Sequence, residues 1–193
     1  MLAAAGPESV VIASTDSVRQ AYTGYSEDRA LKPFTPQLSL DLGIRMSQIA
    51  FSADEKFLVL SAQDGGGLAV YEVAALMNGM TQSAFELSTN SLSLRHLIPN
   101  PTAEKAELFA LVTLTGQLMI ANLKSRELLS GSQGPVLKEG VSCISWSNRG
   151  KQLVAGMGNG TCFQMTPEGE VKGELPRPPN VEGDQHGKYG YIH

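Results

Sequence analysis

The sequence is poor in the residues that carry out chemistry. It has 2 cysteines and 3 histidines in 193 residues, which excludes a disulfide-stapled scaffold and leaves no zinc pattern. Cys143 and Cys162 show no CxxC spacing and have no histidine nearby, so small buried thiols are expected rather than a redox or metal pair. His96, His186 and His193 are scattered, with no spaced partner that would make a zinc site or a nucleophile and its base. A basic excess is also missing. The formal net charge is -4, so there is no broad cationic surface for a phosphate backbone, which argues against direct nucleic-acid binding. No window approaches the roughly 18 unbroken apolar residues of a membrane helix, so no membrane insertion is expected. The opening MLAAAGPESVVIAS lacks the basic start of a secretory signal and is broken by Pro7 and Glu8. The expectation is an intracellular chain with no catalytic residues, no cofactor and no metal.

What is present points to strands. Aromatics make up 6% of the chain against 20 glycines and 10 prolines, a balance that suits many short strands and tight turns rather than packed helices. Three stretches repeat one plan: IAFSADEKFLVLSAQDGGGLAVYEV from Ile49, LIPNPTAEKAELFALVTLTGQLMIANL from Leu97, and ISWSNRGKQLVAGMGNGTCFQMT from Ile144. Their period of about 48 residues is that of β-propeller blades with four short strands each. The fold expected is therefore all-β, a WD-like β-propeller with an incomplete set of four-stranded blades, because propellers close with roughly four to eight. An incomplete set leaves sheet edges open to pairing.

In the last unit SCISW, QLVAGM and TCFQM read as strands, with Asn159-Gly160 as a two-residue type I′ hairpin turn, and KGEL follows as a further strand. The first unit matches it: Ile49 to Phe51, the turn SADEK, FLVLS, glycines 65 to 67, then LAVYEV. Phe51 and Trp146 are each followed by serine and stand at equal offsets from Gly65 and Gly160, which implies one shared burial pattern. The middle unit lengthens its first turn to PNPTAEKAE. Upstream, Val10 to Ser14 and Val18 to Tyr22 read as the last two strands of an earlier blade, turning at Asp16-Ser17, and Ala74 to Gly79 as a helical turn. The expected divisions of the one propeller are 1-30, the end of a blade and a connector; 31-90, 91-135 and 136-175, one blade each; and 176-193, a proline-rich link and an atypical tail.

Several residues invite a functional reading and have a plainer one. Phe51 and Trp146 occupy matching positions, so packing between blades explains them better than ligand stacking. Gly156, Gly158 and Gly160 spell GxGxG, but no strand-to-helix transition follows, and a hairpin uses them better than a nucleotide would. Asn159-Gly160-Thr161 fits the N-glycosylation pattern, which requires a secretion signal that is not seen. Asp54, Glu55, Glu104, Glu107 and Glu139 lie in or beside turns, where solvation is their ordinary role.

The segment GVSCISWSNRGKQLVAGMGNGTCFQMTPEGEVKGELPRPPN carries a resemblance. Gly140-Val141, Trp146-Ser147, Gly150 to Leu153, Asn159 to Thr161, the prolines from Pro176 to Pro179 and the acidic stretch Glu182 to Asp184 resemble the N-terminal β-propeller of the FG-nucleoporin on the cytoplasmic filaments of the nuclear pore. IAFSADEKFLVLSAQDGGGLAVYEV is similar to an earlier blade of that family, so the likeness covers most of the chain. It implies a location at the cytoplasmic face of the pore and a role in mRNA export. The expected function is a non-catalytic scaffold whose partners are the DEAD-box RNA helicase and other nucleoporins. The turn carboxylates above become candidates for contact with a basic helicase surface, but the motif match reaches no partner-contact residue, so the partner-binding residues stay unknown. The chain itself has no Phe-Gly dipeptide. A WD-like adaptor unrelated to the pore is the competing function, and a propeller enzyme with a channel site the third.

Overall fold

The computed structural model describes residues 1–6, 9–23, 36–41, 43, 45–129 and 136–176. His186, His193 and nearly all of the proline-rich link and tail lie outside them. The chain divides into two compact units, 1–94 and 95–193.

In the first unit β1 (Leu2–Ala5), β2 (Ser9–Ala13) and β3 (Leu38–Asp41) form a three-stranded antiparallel sheet in that order, with helix α1 (Thr15–Tyr22) between β2 and β3. The second sheet is the four-stranded meander β4 (Met46–Phe51), β5 (Phe57–Ala62), β6 (Leu68–Glu72) and β7 (Phe85–Leu87), with the short helix α2 (Val73–Met77) between β6 and β7. The third sheet begins at the unit boundary with β8 (Leu94–Pro99) and continues through β9 (Leu108–Thr113), β10 (Leu118–Asn122) and β11 (Glu127–Leu128). The fourth holds β12 (Val141–Trp146), β13 (Leu153–Met157), β14 (Cys162–Met165) and β15 (Val171–Glu174), again in chain order. Each four-stranded sheet is the strand-by-strand meander that a propeller blade requires.

One strand expectation is corrected here. Val18 to Tyr22 is not a strand but most of α1. Ser14 caps the helix, its Oγ accepting from the Ser17 backbone N–H at 3.0 Å, and Asp16 sits in the first turn. Serine at the cap and an acidic first turn are helix-start signals, and here they override the short apolar alternation. Leu38–Asp41, which lies within the stretch 31-90, is hydrogen-bonded to β2 as the third strand of the first sheet.

Each unit has its own core. In the first, Val10, Ile12 and Leu40 of the first sheet pack with Leu58, Leu60 and Tyr71 of the second, and Leu76 of α2 joins them. In the second unit, Leu108, Ala110, Val112, Leu118 and Ile120 of the third sheet meet Ile144, Trp146, Leu153, Ala155 and Met165 of the fourth. All six residues of β9 are buried, and its apolar stretch from Leu108 to Val112 is the pattern of a strand covered on both faces.

Candidate binding surfaces

The repeated serine has a local task. Ser52 closes the β4–β5 turn: its N–H donates to the Phe57 carbonyl at 2.9 Å, and its Oγ accepts from the Phe57 N–H at 3.0 Å. Ser147 repeats this in the β12–β13 turn: its N–H donates to the Gln152 carbonyl at 2.9 Å, and its Oγ accepts from the Gln152 N–H at 3.1 Å. In both turns the residue three after the serine takes a left-handed conformation, Glu55 at φ 57 and Gly150 at φ 62. The middle unit uses Asn100 in the same place. Its N–H donates to the Leu108 carbonyl at 2.8 Å, its Oδ1 accepts from the N–H and hydroxyl of Thr102, and its Nδ2 donates to the Gly150 carbonyl at 2.8 Å. The insertion PNPTAEKAE is therefore folded back around a buried amide and contains a single 3-10 turn, Ala103–Lys105.

The hairpin of the fourth sheet also departs from expectation. Asn159-Gly160 is not a two-residue type I′ turn, because only Gly160 has positive φ, at 83. The Gly160 N–H donates to the Met157 carbonyl at 3.0 Å and the Met157 N–H to the Thr161 carbonyl at 2.8 Å. This is a three-residue loop, a type I turn followed by a left-handed glycine. Asn159 Oδ1 accepts from both the N–H and the hydroxyl of Thr161, which holds the asparagine outside the left-handed region. Gly116 and Gly169 close their hairpins in the same way.

Of the carboxylates, Asp54 is the most engaged. Its Oδ1 accepts from Ser52 Oγ at 2.7 Å and its Oδ2 pairs with Lys56 Nζ at 3.0 Å. Burial pushes its pKa up, but the Ser52 hydroxyl and Lys56 outweigh that and hold the carboxyl's pKa below its ordinary value. Glu55 pairs with the Met1 amine at 2.5 Å. Glu104 and Glu139 are exposed and Glu107 is half-buried. The five candidates thus lie in several different turns, Asp54 and Glu55 in the first unit and Glu104, Glu107 and Glu139 in the second. Glu168, which the sequence does not single out, pairs with Lys105 Nζ at 2.5 Å. That pair joins the 3-10 turn of the third sheet to the last hairpin of the fourth, and the Lys105 ammonium holds the carboxyl below its ordinary value.

Trp146 is 9% exposed and its Nε1–H donates to the Ile98 carbonyl at 3.1 Å, across from the fourth sheet to the third. Phe51 packs against the core of the first unit. Cys143 and Cys162 are free and half-buried. Both are paired with Gly156, one from each side, so two strand spacings, about 9.5 Å, separate their Cα atoms. A disulfide needs less than roughly 7 Å. His96 is half-buried on β8. Among the described residues no group of three or more His, Cys, Asp or Glu side chains could hold a metal ion, and no helix is long and apolar enough to cross a membrane.

A cavity of about 450 Å³ in the first unit is lined by Leu60, Leu68, Leu87, Glu86, Ser91 and the glycines from Gly65 to Gly67. The glycine loop is held by Thr89, whose buried Oγ1 accepts from the Gly67 N–H at 2.7 Å and donates to the Leu92 carbonyl at 2.7 Å. A Cβ on Gly66 would lie 2.5 Å from Thr89 Oγ1 and 2.6 Å from the Leu92 carbonyl oxygen. The loop needs glycine for closeness as well as for φ.

Repeated four-stranded meanders with turn-borne polar groups define the chain as a β-propeller whose described surface offers loops for binding. The chain belongs to the NUP159/214 beta propeller family, whose model matches residues 1–190. It is 52% identical over 187 residues to nucleoporin NUP159 of Chaetomium thermophilum, covering 96% of this chain and 13% of that protein. It is 33% identical over 138 residues to nucleoporin nup146 of Schizosaccharomyces pombe, covering 72% of this chain and 10% of that one. The chain therefore spans only a small part of either relative. Among solved structures, the mitotic checkpoint complex contains a chain that aligns with a TM-score of 0.58 at 15% identity, over 90% of this chain and 45% of its own length. That likeness concerns the fold alone.

Proposed function

We propose that this chain is part of a nuclear pore scaffold, a propeller module on the cytoplasmic face that recruits a DEAD-box RNA helicase for mRNA export and performs no catalysis itself. The observation that carries the reading is the family match over residues 1–190 together with 52% identity to NUP159. The helicase as partner rests on the likeness of the blade sequences to the cytoplasmic-filament nucleoporin. Binding through loops on a rigid scaffold is the usual division of labour in such folds. Rim charges mainly tune association rate and salt dependence, so the complete propeller containing this chain should capture the helicase and release it progressively as salt rises. A pull-down that recovers no helicase at low salt removes the helicase from the proposal. Tagged protein absent from the nuclear rim removes the pore as well.

A further inference from the structure

Two Asn-Gly dipeptides occur in the chain, Asn78-Gly79 and Asn159-Gly160, and both asparagines are exposed. Glycine after asparagine leaves no side chain to block attack of its backbone nitrogen on the asparagine carboxamide, and asparagine is among the thermolabile residues. The local structures differ. The Asn159 carboxamide is held by the N–H and hydroxyl of Thr161, inside a hairpin whose strands are paired on both sides of the loop. The Asn78 carboxamide makes no such bond. Asn78 caps α2, a helix of five residues, which ends in a Schellman motif: the Gly79 N–H donates to the Leu76 carbonyl at 2.9 Å and the Met80 N–H to the Ala75 carbonyl at 3.0 Å. Gly79 and Met80 are exposed, and nothing lies within 4 Å of a Cβ built on Gly79. A helix this short frays cheaply, and fraying frees the Gly79 nitrogen that the motif otherwise occupies.

We infer that Asn78-Gly79 is a self-modifying site that converts slowly to isoaspartate and aspartate in the folded protein, while Asn159-Gly160 is protected. The Gly79 nitrogen loses its proton to solvent base and attacks Asn78 Cγ. The new C–N bond forms, the bond from Cγ to the amide nitrogen breaks, and ammonia leaves with that proton. Water then opens the succinimide at either carbonyl. Opening at the main-chain carbonyl moves the peptide link onto the side chain, adding one methylene to the backbone. Either product puts a new carboxylate on the connection that carries the exposed side chains of Met77 and Met80, so the change alters both the shape and the charge of that surface.

The 193-residue chain is incubated in warm, mildly alkaline buffer, and its peptides are followed by mass spectrometry, with enzymatic methylation of isoaspartate as a second readout. The Asn78 peptide should convert about tenfold faster than the Asn159 peptide, because reaction follows local opening. In urea the two rates should converge, and Asn78→Gln should abolish conversion at the first site without changing the second. Equal rates in the folded chain overturn the inference. So does a gap that persists in urea, which would place the difference in sequence neighbours rather than in structure.

Discussion

At the scale of single residues, hydrogen bonds carried by one side chain determine the turns. Ser52 is buried and supplies both an acceptor to the Phe57 N–H and a donor to Asp54. Ser52→Ala should destabilise the first unit by about 2 kcal/mol, since it strands a partly buried N–H, measurable by urea denaturation. It should also raise the Asp54 pKa toward its ordinary value, visible by NMR titration. Because the folded value is depressed, Asp54 contributes stability that is complete above the ordinary aspartate range and is lost as pH falls through its lowered value. The acid limb of the stability profile should therefore be shallower in the variant. At Trp146, replacement by alanine should cost about 3–5 kcal/mol from cavity formation, and the lost Nε1–H bond to Ile98 adds to that. Serine after the aromatic was legible as a repeat, but its purpose was not. A sequence shows that two serines correspond, whereas the bond each makes five residues onward depends on the folded turn.

At the scale of elements, glycines of the same conformation differ in what a side chain would meet. Gly66 has φ 66 and faces backbone atoms of Leu92 as well as Thr89, while Gly79 has φ 85 and open space around it. Gly79→Ala should cost about 1 kcal/mol through backbone conformation alone. Gly66→Ala adds overpacking of about 1–3 kcal/mol, and the difference should appear in Tm and in loss of the bond between Gly67 and Thr89. The element that the sequence misassigned, α1, shows why short segments are difficult. Val18-Arg-Gln-Ala-Tyr22 fits a brief strand or a helix face equally well, and the cap at Ser14 decides between them. Asn159-Gly160 taught a similar lesson, since Thr161 retained the asparagine side chain and shifted the left-handed residue to glycine alone.

At the scale of the whole molecule, burial predicts a gradient of local stability. β9 is covered along all six residues, whereas β15 is exposed along all four and α1 buries none of its residues. Amide hydrogen exchange should be slowest across Leu108–Thr113 and fast in Val171–Glu174 and Thr15–Tyr22. Exchange in β15 as slow as in β9 would contradict that ordering. The exposed edge of β15 carries Lys172, paired with Glu170 at 2.9 Å, and charge on an edge strand discourages pairing with other chains.

The sequence by itself determined the period of the repeat, the strands within it and hence the propeller class, because alternation and turn residues are local signals that recur at each blade. Its likeness to the nucleoporin propeller was also readable from the last unit. Only the tertiary structure decided where Leu38–Asp41 pairs, that Asn100 reaches Gly150, that Lys105 meets Glu168, and that a cavity opens beside Gly65 to Gly67. Asn100 and Gly150 are 50 positions apart and Lys105 and Glu168 are 63 apart, and no local pattern specifies which distant groups the folded chain will bring within a few ångströms.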